Sequence, residues 1–148
     1  MRSFTLFALS LLGATAAAFP TSTNPTHSDV VSLTHNSFYD FIEQHDLVLV
    51  NFYAPWCHYS KELAPRFEEA ATVLKTDNIP LAKVDCTLER RLCSDYGIRG
   101  YPTLKVFRGL ESVERYPGSR RTEWIVSHMR KELAFSQAGE GLYLQTYD

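Results

Sequence analysis

An apolar run, Leu47, Val48, Leu49, Val50, Phe52 and Tyr53, stops at Ala54-Pro55 and is followed at once by Trp56-Cys57. The run is far shorter than the ~20 residues that cross a bilayer. Its β-branched and aromatic side chains predict a buried strand, which a proline cannot continue. Beyond Cys57, Leu63, Ala64, Phe67, Ala70, Ala71 and Leu74 recur at helical spacing. A strand, a tight turn and a helix therefore place Cys57 at a helix N-terminus. Unpaired backbone N–H groups and the helix dipole favour the thiolate there, which makes a cysteine nucleophilic.

These residues also carry a family resemblance. The segments Phe52-Tyr53-Ala54-Pro55-Trp56-Cys57 and Lys61-Glu62-Leu63-Ala64-Pro65 resemble the thioredoxin-like catalytic domains of protein disulfide isomerases, most closely the first domain of the fungal type. So do Leu81 to Thr87 and the stretch Tyr96-Gly97-Ile98-Arg99-Gly100-Tyr101-Pro102-Thr103-Leu104-Lys105-Val106-Phe107. The motifs stand in the family's order over residues 29–133. The resemblance implies an α/β thioredoxin-like fold, with a central mixed sheet flanked by helices.

The ends of the chain set its compartment. Arg2, an apolar stretch from Phe4 to Leu12 and Ala16-Ala17-Ala18 have the layout of a secretory signal peptide, residues 1–18. Residues 19–28 are a polar, proline-containing linker, 29–134 the thioredoxin-like domain and 135–148 a tail expected to be disordered. The mature chain is then expected in the oxidising endoplasmic reticulum lumen, or secreted, because no retrieval signal of the Lys-Asp-Glu-Leu kind closes it. It stands either as a single-domain protein or as a truncated gene product. The formal charge of −2 gives no reason to expect nucleic acid or an anionic membrane as partner. No membrane attachment is expected once the signal is removed, and a monomer is expected.

The element pattern within the domain is legible. Val30 to Thr34 predicts a strand, and Asn36 or Ser37 caps a helix with Phe38, Phe41 and Ile42 on one face. Ile79 to Val84 predicts a strand, Glu89 to Tyr96 a short helix, and Thr103 to Phe107 with Ser112 to Tyr116 a hairpin. A final amphipathic helix from Thr122 to Leu133 turns Trp124, Ile125, His128 and Met129 inward or partly so. The order is βαβαβαββα.

The site expected from the resemblance is incomplete in one respect. The family's second active-site cysteine would stand at position 60, which is Ser60, and the buried carboxylate six positions before the nucleophile is replaced by Asn51. The histidine between the cysteines moves one place nearer, to His58, and is followed by Tyr59. Protonated His58 would favour the Cys57 thiolate, while a solvent-facing histidine of little effect is the alternative reading. The resemblance implies a cis peptide bond at Tyr101-Pro102 facing the nucleophile. It also implies a mobile arginine, Arg120, that tunes thiol acidity, and a helix kink at Pro65. Trp56, Tyr59, Tyr101 and Pro102 are expected to meet substrate.

Cys86 and Cys93 are implied by the resemblance to form a structural disulfide; two buried free thiols are the alternative, and no His or Cys pair with zinc-ligand spacing lies nearby. No metal or cofactor is expected, with glutathione as a redox partner. Cys57 alone attacks a disulfide and forms a mixed disulfide that Ser60 has no thiol to release. A client thiol or glutathione must do so. Isomerisation of disulfides in folding secretory proteins follows, without net oxidation or reduction. A non-enzymatic chaperone or retention module that holds clients covalently is the rival reading, and a duplicate without function is a third.

Overall fold

A computed structural model describes residues 27–144. The expected signal peptide, most of the linker and the last four residues lie outside them. Among the described residues five strands and four α-helices follow in the expected order: β1 (Val30–Leu33), α1 (His35–Glu43), β2 (Val48–Tyr53), α2 (His58–Leu74), β3 (Leu81–Asp85), α3 (Arg90–Asp95), β4 (Thr103–Arg108), β5 (Ser112–Arg115) and α4 (Thr122–Leu144), with a short 3-10 turn, Lys75–Asp77, after α2. The five strands form one sheet in the order β1-β3-β2-β4-β5. β3 runs parallel to β1 and β2, whereas β4 is antiparallel to β2 and β5. This is the mixed α/β thioredoxin fold.

Side-chain alternation along the buried strands divides the core into two layers. Leu49, Leu81, Leu104 and Val106 pack against Leu63, Phe67, Ala70 and Leu74 of α2 and Ile125 and Met129 of α4. Val48, Val50, Phe52, Val84 and Phe107 point the other way and pack with Phe38 and Ile42 of α1 and Leu92 of α3. Phe38 is the centre of this second layer, with its ring against those of Phe52, Tyr96 and Phe107 at centroid separations of 6.3, 5.2 and 5.5 Å.

Several boundaries depart from the sequence expectations. The cap of α1 is Thr34, whose backbone N–H donates to Ser37 Oγ at 3.1 Å; Asn36 and Ser37 already lie inside the helix. β3 begins at Leu81 because Pro80 lacks a ladder donor, and Ile79 instead donates to Leu74 O, closing α2 across the left-handed Asn78. On α2 the buried face includes Ser60 and not Ala64, which is exposed.

The final helix is the largest correction. It does not stop near Leu133 but continues to Leu144, so the expected disordered tail from 135 is helical over most of its length. Ala134, Phe135, Ser136, Gln137 and Ala138 contain no helix breaker, and Ser136 Oγ donates to Leu133 O at 2.9 Å. Of the residues expected inward or partly so, Trp124 is the most exposed, at 57%, because Ile125, Val126 and Met129 define the face that meets the sheet.

Candidate active site

The strand register brings Cys57 to its partner. Phe52, near the end of β2, pairs with Thr103 at the start of antiparallel β4. The segments just beyond, Ala54–Cys57 and Tyr101-Pro102, therefore emerge side by side at one end of the sheet's inner strands. The Tyr101-Pro102 peptide bond is cis, and Cys57 Sγ donates to the Tyr101 carbonyl oxygen at 3.4 Å.

Cys57 is the N-cap of α2, with extended backbone (φ −74°, ψ 126°). Its own N–H donates to Ala54 O at 3.1 Å, and its carbonyl accepts from Lys61 N–H at 3.0 Å, the first bond of the helix. The next N–H groups along the chain are left free to face the sulfur. The thiol is held below the ordinary cysteine range, chiefly by the Ser60 backbone N–H and against the opposing cost of desolvation. The Ser60 hydroxyl, the Tyr59 backbone N–H and the positive charge of Arg120 add smaller effects in the same direction.

Ser60 is thus more than a missing thiol. It is only 4% exposed, and in the thiol state its Oγ has no hydrogen-bond partner among the described residues, since the Cys57 S–H is turned toward Tyr101. Loss of the proton makes the sulfur a far stronger acceptor, and the Ser60 hydroxyl is one of the groups that favour the charged sulfur. A buried hydroxyl without another partner has most to gain from a neighbouring negative charge, which favours the thiolate. Sequence reasoning recognised what Ser60 cannot do and missed this; the signal was its place on the buried face of α2 with Leu63 and Phe67.

The other expected site residues are distributed unequally. Arg120 reaches the site, its guanidinium donating to the Pro102 carbonyl at 3.0 Å. His58 turns along the helix, with Nε2 3.6 Å from Glu62 Oε1, and is not among the groups that lower the Cys57 pKa. Trp56 stands 69% exposed on the rim, edge-on to the half-buried Tyr101 at 6.1 Å. Tyr59 is exposed and stacks edge-to-face on His58. Pro102 is buried. Asn51 is buried in β2, and its Oδ1 is the second buried side-chain atom without a partner among the described residues.

Cys86 and Cys93 form a disulfide, with 5.7 Å between their Cα atoms. It ties the end of β3 to α3, and α3 leads through Gly97, which is left-handed at φ 64°, to Tyr101-Pro102. The cross-link therefore braces the loop that presents the cis-proline. Cys57 is the free cysteine.

An N-cap cysteine with a lowered pKa, facing a cis-proline on this sheet, defines a thioredoxin-type thiol site. The family model for thioredoxin matches residues 29–131, and the chain belongs to the thioredoxin family. Over 133 residues it is 57% identical to the protein disulfide-isomerase of Aspergillus oryzae, with 89% of this chain and 26% of that protein covered. It is 54% identical over 132 residues to the Aspergillus niger protein of the same name. The chain spans about a quarter of the length of the curated relatives it matches. Among solved structures, the first thioredoxin domain of mouse protein disulfide-isomerase A4 aligns with a TM-score of 0.63 at 34% identity, covering 80% of this chain and 86% of that one. Human ERp44 aligns at 0.65 and 35% identity, over 68% of this chain and 32% of that one.

Proposed function

We propose that the protein catalyses thiol–disulfide interchange on secretory proteins as a monothiol member of the disulfide isomerase group. The observation that carries this reading is the lowered pKa of Cys57 together with its position against Tyr101 O beside cis-Pro102. The Cys57 thiolate attacks one sulfur of a client disulfide; a Cys57–client bond forms, and the client's second sulfur leaves as a thiolate. That thiolate, or another from the same client, then attacks the client sulfur of the mixed disulfide and expels Cys57 as thiolate. The client's disulfides are rearranged and no electrons are gained or lost. A low-pKa thiolate is also a good leaving group, which favours the second step. Glutathione serves as an external thiol where the client has none to spare, and the mature protein works as a monomer in the endoplasmic reticulum lumen or after secretion.

The absence of a thiol at Ser60 favours a second reading, in which clients are captured and held. Recovery of activity from scrambled, fully oxidised ribonuclease in a glutathione buffer separates the two. Recovery that disappears in Cys57→Ala is the result expected of the isomerase. Equal recovery by both proteins overturns it, and Cys57-dependent accumulation of mixed disulfides without recovery selects retention.

A further inference from the structure

The exchange chemistry of Cys57 draws on Arg120 but leaves unexplained three further cations just past the cis-proline, Arg99, Lys105 and Arg115. Arg99, Lys105, Arg115 and Arg120 line, with Tyr101, Pro102 and Thr103, an open cavity of about 380 Å³. Among the described residues none of the four makes an ion pair, whereas Lys75, Arg108 and Arg130 each hold a carboxylate.

The register sharpens this observation. Lys105 of β4 and Arg115 of β5 are direct partners across the antiparallel ladder, so two cations share one face of adjacent strands. Like charges placed directly opposite destabilise a sheet. The neighbouring carboxylate, Glu114, pairs with Val106 and by strand alternation lies on the other face. There it is 3.5 Å from Arg108. Nothing within the described fold compensates the Lys105–Arg115 pair, and the remaining cavity charges are of the same sign.

The cavity adjoins the point of client attachment. It includes Tyr101 and Pro102, and Tyr101 O is the atom that Cys57 Sγ meets. An extended segment advances ~3.3 Å per residue, so side chains a few positions from an attached cysteine have the reach to enter a cavity that shares Tyr101 with the attachment point. We infer that this cavity is a carboxylate-binding subsite that selects client segments with Asp or Glu near the reactive cysteine. The inference rests on Cys57 as the attachment point. Three cations that pair with no carboxylate, beside Arg120, fit an acidic peptide stretch, and their attraction acts before any covalent bond forms.

Labelled nonapeptides test this with the intact protein. One carries Glu on both sides of a central serine that replaces the cysteine, and its counterpart carries Gln. At low ionic strength the Glu peptide is expected to bind about tenfold or more tightly than the Gln peptide, by fluorescence anisotropy, with the preference shrinking as salt is added. Lys105→Gln with Arg115→Gln should bring that preference close to unity, while the thermal midpoint stays level or rises because the like-charge pair is gone. Equal binding of the two peptides, or a preference that survives the double substitution, overturns the subsite.

A second arm uses the same peptides with cysteine in mixed disulfide with a chromogenic thiol. The double variant should slow exchange of the Glu peptide about tenfold and leave the Gln peptide unchanged. Failure of both peptides to exchange in the wild-type protein, with Glu-selective binding intact, rejects the nucleophile reading and leaves the subsite standing.

Discussion

Cys57 Sγ lies 3.4 Å from the carbonyl oxygen of Tyr101, across the gap between the end of β2 and the start of β4. The two residues are 44 positions apart in the chain, and their meeting creates two alternative partners for one sulfur. The thiol donates to Tyr101 O; the thiolate, repelled by that carbonyl, is favoured by the Ser60 and Tyr59 N–H groups and the Ser60 hydroxyl.

The pH dependence of alkylation should report this exchange of partners. The rate of Cys57 modification by iodoacetamide follows the thiolate fraction, so its midpoint is expected below the ordinary cysteine range. Ser60→Ala, which removes the hydroxyl and keeps the N–H, should move the midpoint upward. The sign for stability is fixed as well: a thiol whose pKa is lower in the folded state adds stability above the unfolded-state pKa. That contribution is lost as pH falls through the folded-state value. Denaturant titrations of the wild type and Cys57→Ala across that window check it.

Ser60→Cys should change the reaction and not only its rate. A thiol at the buried first turn of α2 can attack the Cys57–client bond, release the client reduced and leave Cys57 in a disulfide with the introduced thiol. Reduction of insulin by dithiothreitol-recycled protein is expected to appear with this substitution, and trapped mixed disulfides to disappear. Adding Asn51→Asp, which supplies a carboxylate at a buried position of β2, should quicken the release.

Gly118→Ala tests the segment that holds Arg120. A Cβ at Gly118 would lie 2.6 Å from Tyr116 Cζ, and the Tyr116 ring is fixed by its hydroxyl's bond to Ser119 O and by His128 stacked edge-on at 4.8 Å. Overpacking of this kind costs about 1–3 kcal/mol. The thermal midpoint should fall, and the Cys57 alkylation midpoint should rise as Arg120 leaves Pro102 O.

Removal of the disulfide by Cys86→Ser with Cys93→Ser frees a loop closed over a sequence separation of 7. The chain-entropy estimate for so short a loop is roughly 2 kcal/mol. Urea unfolding should show that loss. The substituted hydroxyls lie where the sulfurs are now buried, so the alanine pair should lose less than the serine pair.

The apolar runs and their spacing determined much of this protein in advance. The buried strand through Val50 and Phe52, the helix after Cys57, the element order and the place of Cys57 at a helix N-terminus were all legible. Burial of an apolar stripe with a fixed period is a local property of the chain. The ends of elements were less so. The cap moved to Thr34, and α4 ran on past Leu133, because capping geometry and the lack of a stop signal decide boundaries that periodicity does not. What only the tertiary structure decided is how distant segments are paired. The like charges of Lys105 and Arg115 set opposite each other, the facing of Cys57 and Tyr101, and the unpartnered hydroxyl of Ser60 all depend on strand register and helix docking. Those are set by the sum of the packing in both core layers, and no single stretch of the chain contains them.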